Sequence, residues 1–247
     1  MSQQLFYLTM GGLDATMQRT AAIANNLANR ATTAFKAERP TFQAQPLYGQ
    51  GMPDRVAVAV REDGADLHPG AIESTGRKLD VAVTGDGWIA VQASDGSTAL
   101  TRNGALSISP LGILQTSDGY PVLGQGSGPI ALPPLQQVSI GADGTISGVP
   151  RGQNPNQIVA LNRIMLVNPP VAQLHRRGDG LFQAGGGQPQ ADAAVRVQPG
   201  ALEGSNANPV QLMMSMLENT RMFEMQTQLM RSVLDMGRGQ GSPLTLT

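Results

Sequence analysis

The sequence predicts an α+β protein. A helix at each end of the chain pairs with the other as a coiled-coil-like stem, and a β-rich domain, an antiparallel sandwich or irregular barrel, is inserted between them. Three observations carry this reading. Apolar residues recur at three-four spacing near both ends, short β-branched runs fill the middle, and Asp-Gly or Asn-Gly pairs punctuate those runs. The implied boundaries are 1–35 for the first helix, 36–75 for an extended connector, 76–200 for the β-rich domain and 201–247 for the last helix.

In the first helix, Phe6, Met10, Leu13, Met17, Thr20, Ala24 and Leu27 fall in one stripe. Gly11 and Gly12 interrupt it. Each costs about 1 kcal/mol relative to Ala in a helix interior, so either the helix breaks there or another backbone packs close. Asn25, Asn26 and Asn29 occupy the last turns, where amides pair with freed carbonyls or with a neighbouring chain; a plain polar helix end is the simpler alternative. Thr32-Thr33 marks an exit into extended structure, and residues 40–53 show no period and read as a connector.

Strands are expected at Val56–Val60, Leu79–Val83, Trp88–Val91, Ile158–Val167 and Ala193–Val197. Turns are expected at Asp86-Gly87, Asp95-Gly96, Asn103-Gly104, Asp118-Gly119, Asp143-Gly144 and Asp179-Gly180, because these dipeptides supply the positive φ of tight hairpins. The last helix opens with Asn208 as N-cap, Pro209 at the first helical position and Gln211 in the capping-box place. Met213, Met216, Thr220, Phe223, Thr227, Met230 and Leu234 then form a second stripe, and Gly237 is the expected stop. Such a helix is roughly 40 Å long, and the matching stripe at the other end of the chain is its natural partner. Two core helices closing an ordinary domain would show the same spacing. Seven of the twelve methionines lie between Met213 and Met236, a concentration that suits packing against several non-identical neighbours.

Composition narrows the function. A net charge of -1 with 14% charged residues argues against nucleic acid or acidic lipid as a partner. With no cysteine, thiolate catalysis, disulfides and zinc–sulfur sites are excluded. The apolar run Leu5–Met10 has no preceding cation and no small-residue cleavage site after it, so no cleaved signal peptide is expected; no stretch approaches a membrane span. No calcium-loop pattern surrounds the Asp-Gly pairs, and His68 and His175 lack ligand partners at helical spacing. Gly124, Gly126 and Gly128 do not complete a dinucleotide fingerprint, and Gln125 replaces the first glycine of a nucleophile elbow around Ser127. The expectation is a protein that is not an enzyme, with no cofactor and no metal.

Five stretches then carry a resemblance: NNLANRATTAFKAERPTF (25–42), LDVAVTGDGWIAVQ (79–92), LTRNGALSI (100–108), LQTSDGYPVLG (114–124) and GALEGSNANPVQLMMSMLENTRMFEMQ (200–226). Together, and in this order, they resemble the bacterial flagellar rod and hook family. Trp88 after Gly-Asp-Gly and the LEGSNANPV run look most like proximal-rod members. The resemblance implies terminal helices packed as an inner layer along an export channel, a connecting β segment and an outer β domain. It also implies export through the flagellar type III apparatus, and assembly with copies of itself and other rod proteins into a torque-transmitting periplasmic rod. The subunit-packing residues would be Phe6, Met10, Leu13, Met17, Leu27, Asn25, Asn26, Asn29, Met213, Met216, Phe223, Met230 and Leu234, with the helices ordering only on assembly. Three departures stand out. Ala34 replaces the glycine that usually precedes the Phe, so the turn avoids positive φ or bears strain. The tail after Asp235 is glycine-rich, and Pro46 spoils the short hydrophobic export-gate segment expected at Phe42–Leu47. Rival readings are a distal rod or hook protein of the same family, and an amphipathic membrane-interface protein. Arg221 and Arg231 are the only cations on the striped part of the last helix, few for anionic lipid.

Overall fold

The computed structural model describes residues 2–46, 56–61, 64–152 and 158–239, and the side-chain surroundings of 9–41, 64–152 and 158–235. Within these residues the chain is α+β, with helix α1 (Ser2–Ala28), helix α2 (Pro209–Gly239) and antiparallel strands between them. Its contacts divide it into two units, Met1–Ala28 with Glu38–Ala65 and Asn208–Thr247, and Asn29–Ala37 with Asp66–Ala207.

The first unit holds both helices and a hairpin of β1 (Thr41–Pro46) and β2 (Val56–Arg61), in register from Thr41 opposite Arg61 to Pro46 opposite Val56. Helix α2 starts where its cap chemistry says it should: Asn208 Oδ1 accepts the N–H groups of Val210 at 3.0 Å and Gln211 at 3.3 Å. It passes Gly237, the expected stop, and runs to Gly239. Helix α1 is continuous through Gly11 and Gly12. A Cβ at Gly11 would meet nothing within 4 Å, whereas one at Gly12 would sit 3.3 Å from Gln226 Nε2. A side chain of α2, rather than a backbone, therefore makes the close approach. The helices run antiparallel, since rising numbers in α1 meet falling numbers in α2: Thr16 with Gln226, then Thr20 with Asn219. The stretch 42–47, where Pro46 spoils the family's export-gate pattern, lies outside the described side chains.

The second unit is built of short strands: β3 (Ile72–Ser74), β4 (Val81–Thr84), β5 (Trp88–Gln92), β6 (Thr98–Thr101), β7 (Leu106–Ile108), β8 (Leu114–Thr116), β9 (Leu135–Ile140), β10 (Thr145–Pro150), β11 (Val159–Arg163), β12 (Leu166–Val167), β13 (Leu174–Arg176), β14 (Phe182–Ala184), β15 (Arg196–Pro199) and β16 (Ala201–Glu203). One sheet has the order β12-β5-β6-β14-β13 and another β11-β10-β9; β15-β4, β16-β3 and β7-β8 pair separately. The single strand anticipated over Ile158–Val167 is two, in different sheets. The chain shifts between them, where Ile164 N–H donates to the Gly144 carbonyl and Met165 N–H to that of Leu123.

One aliphatic core joins these sheets. Val81, Val83, Ile89, Val91, Leu106, Leu114, Val122, Ile130, Ile146 and Ile164 are buried in it, which is how a chain with 4% aromatics still closes a core. Gly96, Gly119, Gly144 and Gly180 adopt φ of 80–87°, as their Asp-Gly turns require. Gly104 does not. It is needed because a Cβ there would lie 1.7 Å from the Val81 carbonyl oxygen, and Val81 N–H donates to the Gly104 carbonyl at 3.0 Å.

Candidate assembly surface on the terminal helices

The apolar stripe that sequence spacing assigned to the α1–α2 contact stays largely outside it on α2, whereas Thr20 of the α1 stripe takes part. On α2 Leu212, Asn219, Gln226 and Val233 recur once per heptad among the residues shielded from solvent, with Asn219 and Val233 buried and Thr227 and Met230 half-buried beside them. On α1 they include buried Thr16 and Ile23. The contact is largely polar: Asn219 Nδ2 donates to the Thr16 carbonyl at 2.9 Å and to Thr20 Oγ1 at 2.6 Å, and Thr16 Oγ1 lies 2.8 Å from Gln226 Oε1. Thr and Gly on α1 keep the approach short, and Asn and Gln fill the space between. A search for large apolar residues selects the wrong face of α2.

The residues it selected are outside. Met213 is 55% exposed, Met216 38%, Phe223 37% and Leu234 45%, and Met230 is half-buried. Met214, Leu217, Met222, Met225 and Leu229 add to the same exposed apolar surface. On α1, Met10 and Met17 are exposed, Leu13 and Leu27 half-buried, and the side chain of Phe6 lies outside those described. Exposed apolar side chains this numerous on paired helices form the kind of surface that marks interaction sites.

The asparagines divide. Asn26 is buried and works inside the chain: its Oδ1 accepts the Glu38 N–H at 2.7 Å while its Nδ2 donates to the Glu38 carbonyl at 3.0 Å, imitating a backbone ladder pair. Asn25 Nδ2 donates to Glu38 Oε1 at 2.9 Å. Asn29 Oδ1 accepts the Thr32 hydroxyl at 3.1 Å, closing the turn after α1.

Sequence reasoning missed a buried ionic cluster in the second unit. Glu203 is fully buried; its Oε1 accepts Lys36 Nζ at 2.6 Å and Gly70 N–H at 3.0 Å, and its Oε2 accepts Arg102 at 3.1 Å. Lys36 also donates to the His68 carbonyl, and Arg102 to the Gly85 carbonyl while its guanidinium stands over the Trp88 ring. Burial pushes the Lys36 ammonium below its ordinary pKa, and the Glu203 hydrogen bond and charge oppose that shift. Around the cluster the chain after α1 is bonded to the chain before α2: Ala34 N–H donates to the Glu203 carbonyl, Ala37 N–H to Asn206 Oδ1 and Asn206 N–H to the Phe35 carbonyl. The signal lay in FKA and LEGSN, each holding one ionisable residue in an otherwise apolar or small context, but nothing in the sequence paired them.

Among the described residues no group of three His, Cys, Asp or Glu could hold a metal, and no helix is long and apolar enough to cross a membrane. A hollow lined by Asn168–Pro170, Gln173 and Ala184–Ala193 carries amides and Asp192 but no hydroxyl or imidazole. Comparison with known proteins agrees with a structural role. Residues 82–148 match the family described as flagellar hook protein FlgE/F/G D1 domain, and 198–238 that described as flagellar basal body rod FlgEFG protein C-terminal. The flagellar basal-body rod protein FlgF of Salmonella typhimurium is 40% identical over 245 residues, covering 96% of each chain. This chain belongs to the flagellar basal-body rod protein family. FlgF of Escherichia coli is 41% identical over 93% of each chain, and the rod protein FlgG of Agrobacterium fabrum 32% identical over 91% of this chain and 93% of its own. In this rod-family chain the C-terminal match spans Glu203 and the exposed face of α2, and the D1 match spans Trp88 and Arg102. The two matched regions thus supply two corners of the buried cluster.

Proposed function

We propose that this rod protein is a structural subunit of the proximal part of the rod, which polymerises through the outward face of its terminal helices, transmits torque and lines the export channel. The observation that carries it is the exposed apolar surface of α2, on a chain of the rod family. Fully burying one Met, Leu or Phe side chain is worth about 1.5–3 kcal/mol, and these side chains are roughly half exposed. Covering ten of them, from Val210 to Leu234, would contribute on the order of 10 kcal/mol before the costs of association. Copies of the same chain and other rod proteins are the partners in this reading, reached after passage through the type III export apparatus. The residues Met10, Met17, Met213, Met216, Phe223, Met230 and Leu234 make the contact, and the second unit stays folded throughout.

Phe223→Asp tests it. A carboxylate buried without a partner costs several kcal/mol, so the variant is expected to be exported and to keep the second unit folded, yet to be missing from isolated basal bodies, with motility lost. Normal incorporation and swimming would sink the packing claim. Recovery of the protein from detached hooks rather than basal bodies would point to a position further out on the axis.

A further inference from the structure

The polar contact between α1 and α2 is odd on energetic grounds. Both helices have enough Met and Leu to fill an apolar seam, yet the middle of their contact is Thr16, Thr20, Asn219 and Gln226. Asn219 is only 4% exposed, and its Nδ2 has two acceptors. Its Oδ1, equally buried, has no hydrogen-bond partner. A buried amide with one unsatisfied atom lowers stability relative to a leucine of similar volume. What it gives in exchange is selectivity, because a buried amide in a heptad seam tolerates only alignments that answer its hydrogen bonds.

We propose that Asn219 is the register key of the α1–α2 pair, a specificity-determining residue rather than a stabilising one. In the observed alignment it lies between the Thr16 carbonyl and the Thr20 hydroxyl, with Gln226 reaching the Thr16 hydroxyl one heptad along. Thr16 Oγ1 is also 2.8 Å from the Gly12 carbonyl and Thr20 Oγ1 2.9 Å from that of Thr16, so both hydroxyls are held in place. A slip of one heptad is a displacement of about 10 Å. In one direction it takes Asn219 beside Ile23 and Leu27, where no side chain answers its amide; in the other it takes Asn219 beside Thr9 and Leu13, where Leu13 stands in place of the Thr20 hydroxyl that accepts its amide. Apolar residues would not enforce this choice. The exposed stripes of α1 and α2 have the same three-four spacing, and Met accommodates any neighbour. Without a polar layer the two helices could pair in several registers or turn their apolar faces toward each other. The key therefore also keeps the apolar faces outward.

The chain has no cysteine, so Ala21→Cys with Glu218→Cys, both exposed and level with one another across the pair, gives clean nitroxide labelling of the full chain. With Asn219 present, double electron–electron resonance is expected to show one narrow distance. Asn219→Leu is expected to add a second population or broaden the first, while amide hydrogen exchange in both helices becomes no faster than in the parent. Thr20→Val, which removes one of the two acceptors and adds no bulk, is expected to broaden the distribution as well, and serves if Asn219→Leu aggregates. A broad distribution in the parent would overturn the proposal. So would an unchanged single distance in the variants, or faster exchange in Asn219→Leu, which would make Asn219 an ordinary stabilising contact.

Discussion

Replacing Glu203 by Ala removes the one anion from a buried site that holds two cations. Both carboxylate oxygens are in use: Lys36 and the Gly70 N–H share Oε1, and Arg102 takes Oε2. After the change Lys36 keeps only the His68 carbonyl and Arg102 the Gly85 carbonyl among these partners. Removing one partner of a buried ion pair costs about 3–5 kcal/mol, a large share of the 5–15 kcal/mol that holds a typical domain. Lys36→Met is the counterpart. It removes the cation that burial already disfavours, leaves Glu203 paired with Arg102 and Gly70, and should cost only about 1–3 kcal/mol. The pH dependence sharpens the test. Lys36 has a folded-state pKa below its unfolded value of 10.5, so between the two the unfolded chain binds more protons and stability rises with pH. Without Glu203 the folded value drops further, the window widens, and the gap between parent and Glu203→Ala should narrow as pH rises toward 10. Urea unfolding followed by fluorescence measures this directly, since Trp88, the only tryptophan, lies under the Arg102 guanidinium. If Glu203→Ala stays within about 1 kcal/mol of the parent, or Lys36→Met costs as much, the cluster is not what holds this region.

Two further predictions concern single residues of the second unit. Ala34 adopts φ 56°, so the missing glycine is met by strain; Ala34→Gly should stabilise by about 0.5–1 kcal/mol once glycine's greater unfolded freedom is subtracted, read as a higher urea midpoint. The Asp95 carboxyl is held well below its ordinary 3.8 by the Ser97 hydroxyl and N–H and by Arg177, so its contribution is present above pH 3.8 and lost as pH falls toward the folded value. Asp95→Asn should flatten the acid limb of a thermal stability profile below pH 4; an unchanged acid limb would mean that solvent screens the Arg177 bridge completely.

The sequence made plain what depends on local chemistry. The Asn208-Pro209 start of α2, the Asp-Gly turns and the strand at Trp88–Val91 each follow from residues adjacent in the chain, and each stands within a residue or so of its expected place. What it hid depends on pairs far apart. Lys36 and Glu203 are separated by 167 positions and Asn219 and Thr16 by 203, and neither residue of either pair signals its partner. The family resemblance named α2 as the surface for assembly, but apolar periodicity alone could not say which of its faces meets α1. Hydrophobic spacing identifies a face that some partner must cover; it does not say that the partner is in the same chain.

On the proposed reading, a rod subunit has to avoid burying its own assembly surface. If α1 and α2 met through Met213, Phe223 and Met17, the isolated chain would gain several kcal/mol, and assembly would have to give that back before any new contact formed. With Thr16, Asn219 and Gln226 in the seam, the apolar face points outward, and in the assembly proposed above it would be free for a neighbour without first being released from α1. A pair held this way should open more readily than the aliphatic core around Ile89 and Leu114. Native-state hydrogen exchange would then show α1 and α2 exchanging well before β5 and β8 in the free protein, and at a rate much closer to theirs once α2 is covered. Equal protection of helices and strands in the free chain would mean that the polar seam is as strong as the core, and the reasoning from its composition would be wrong.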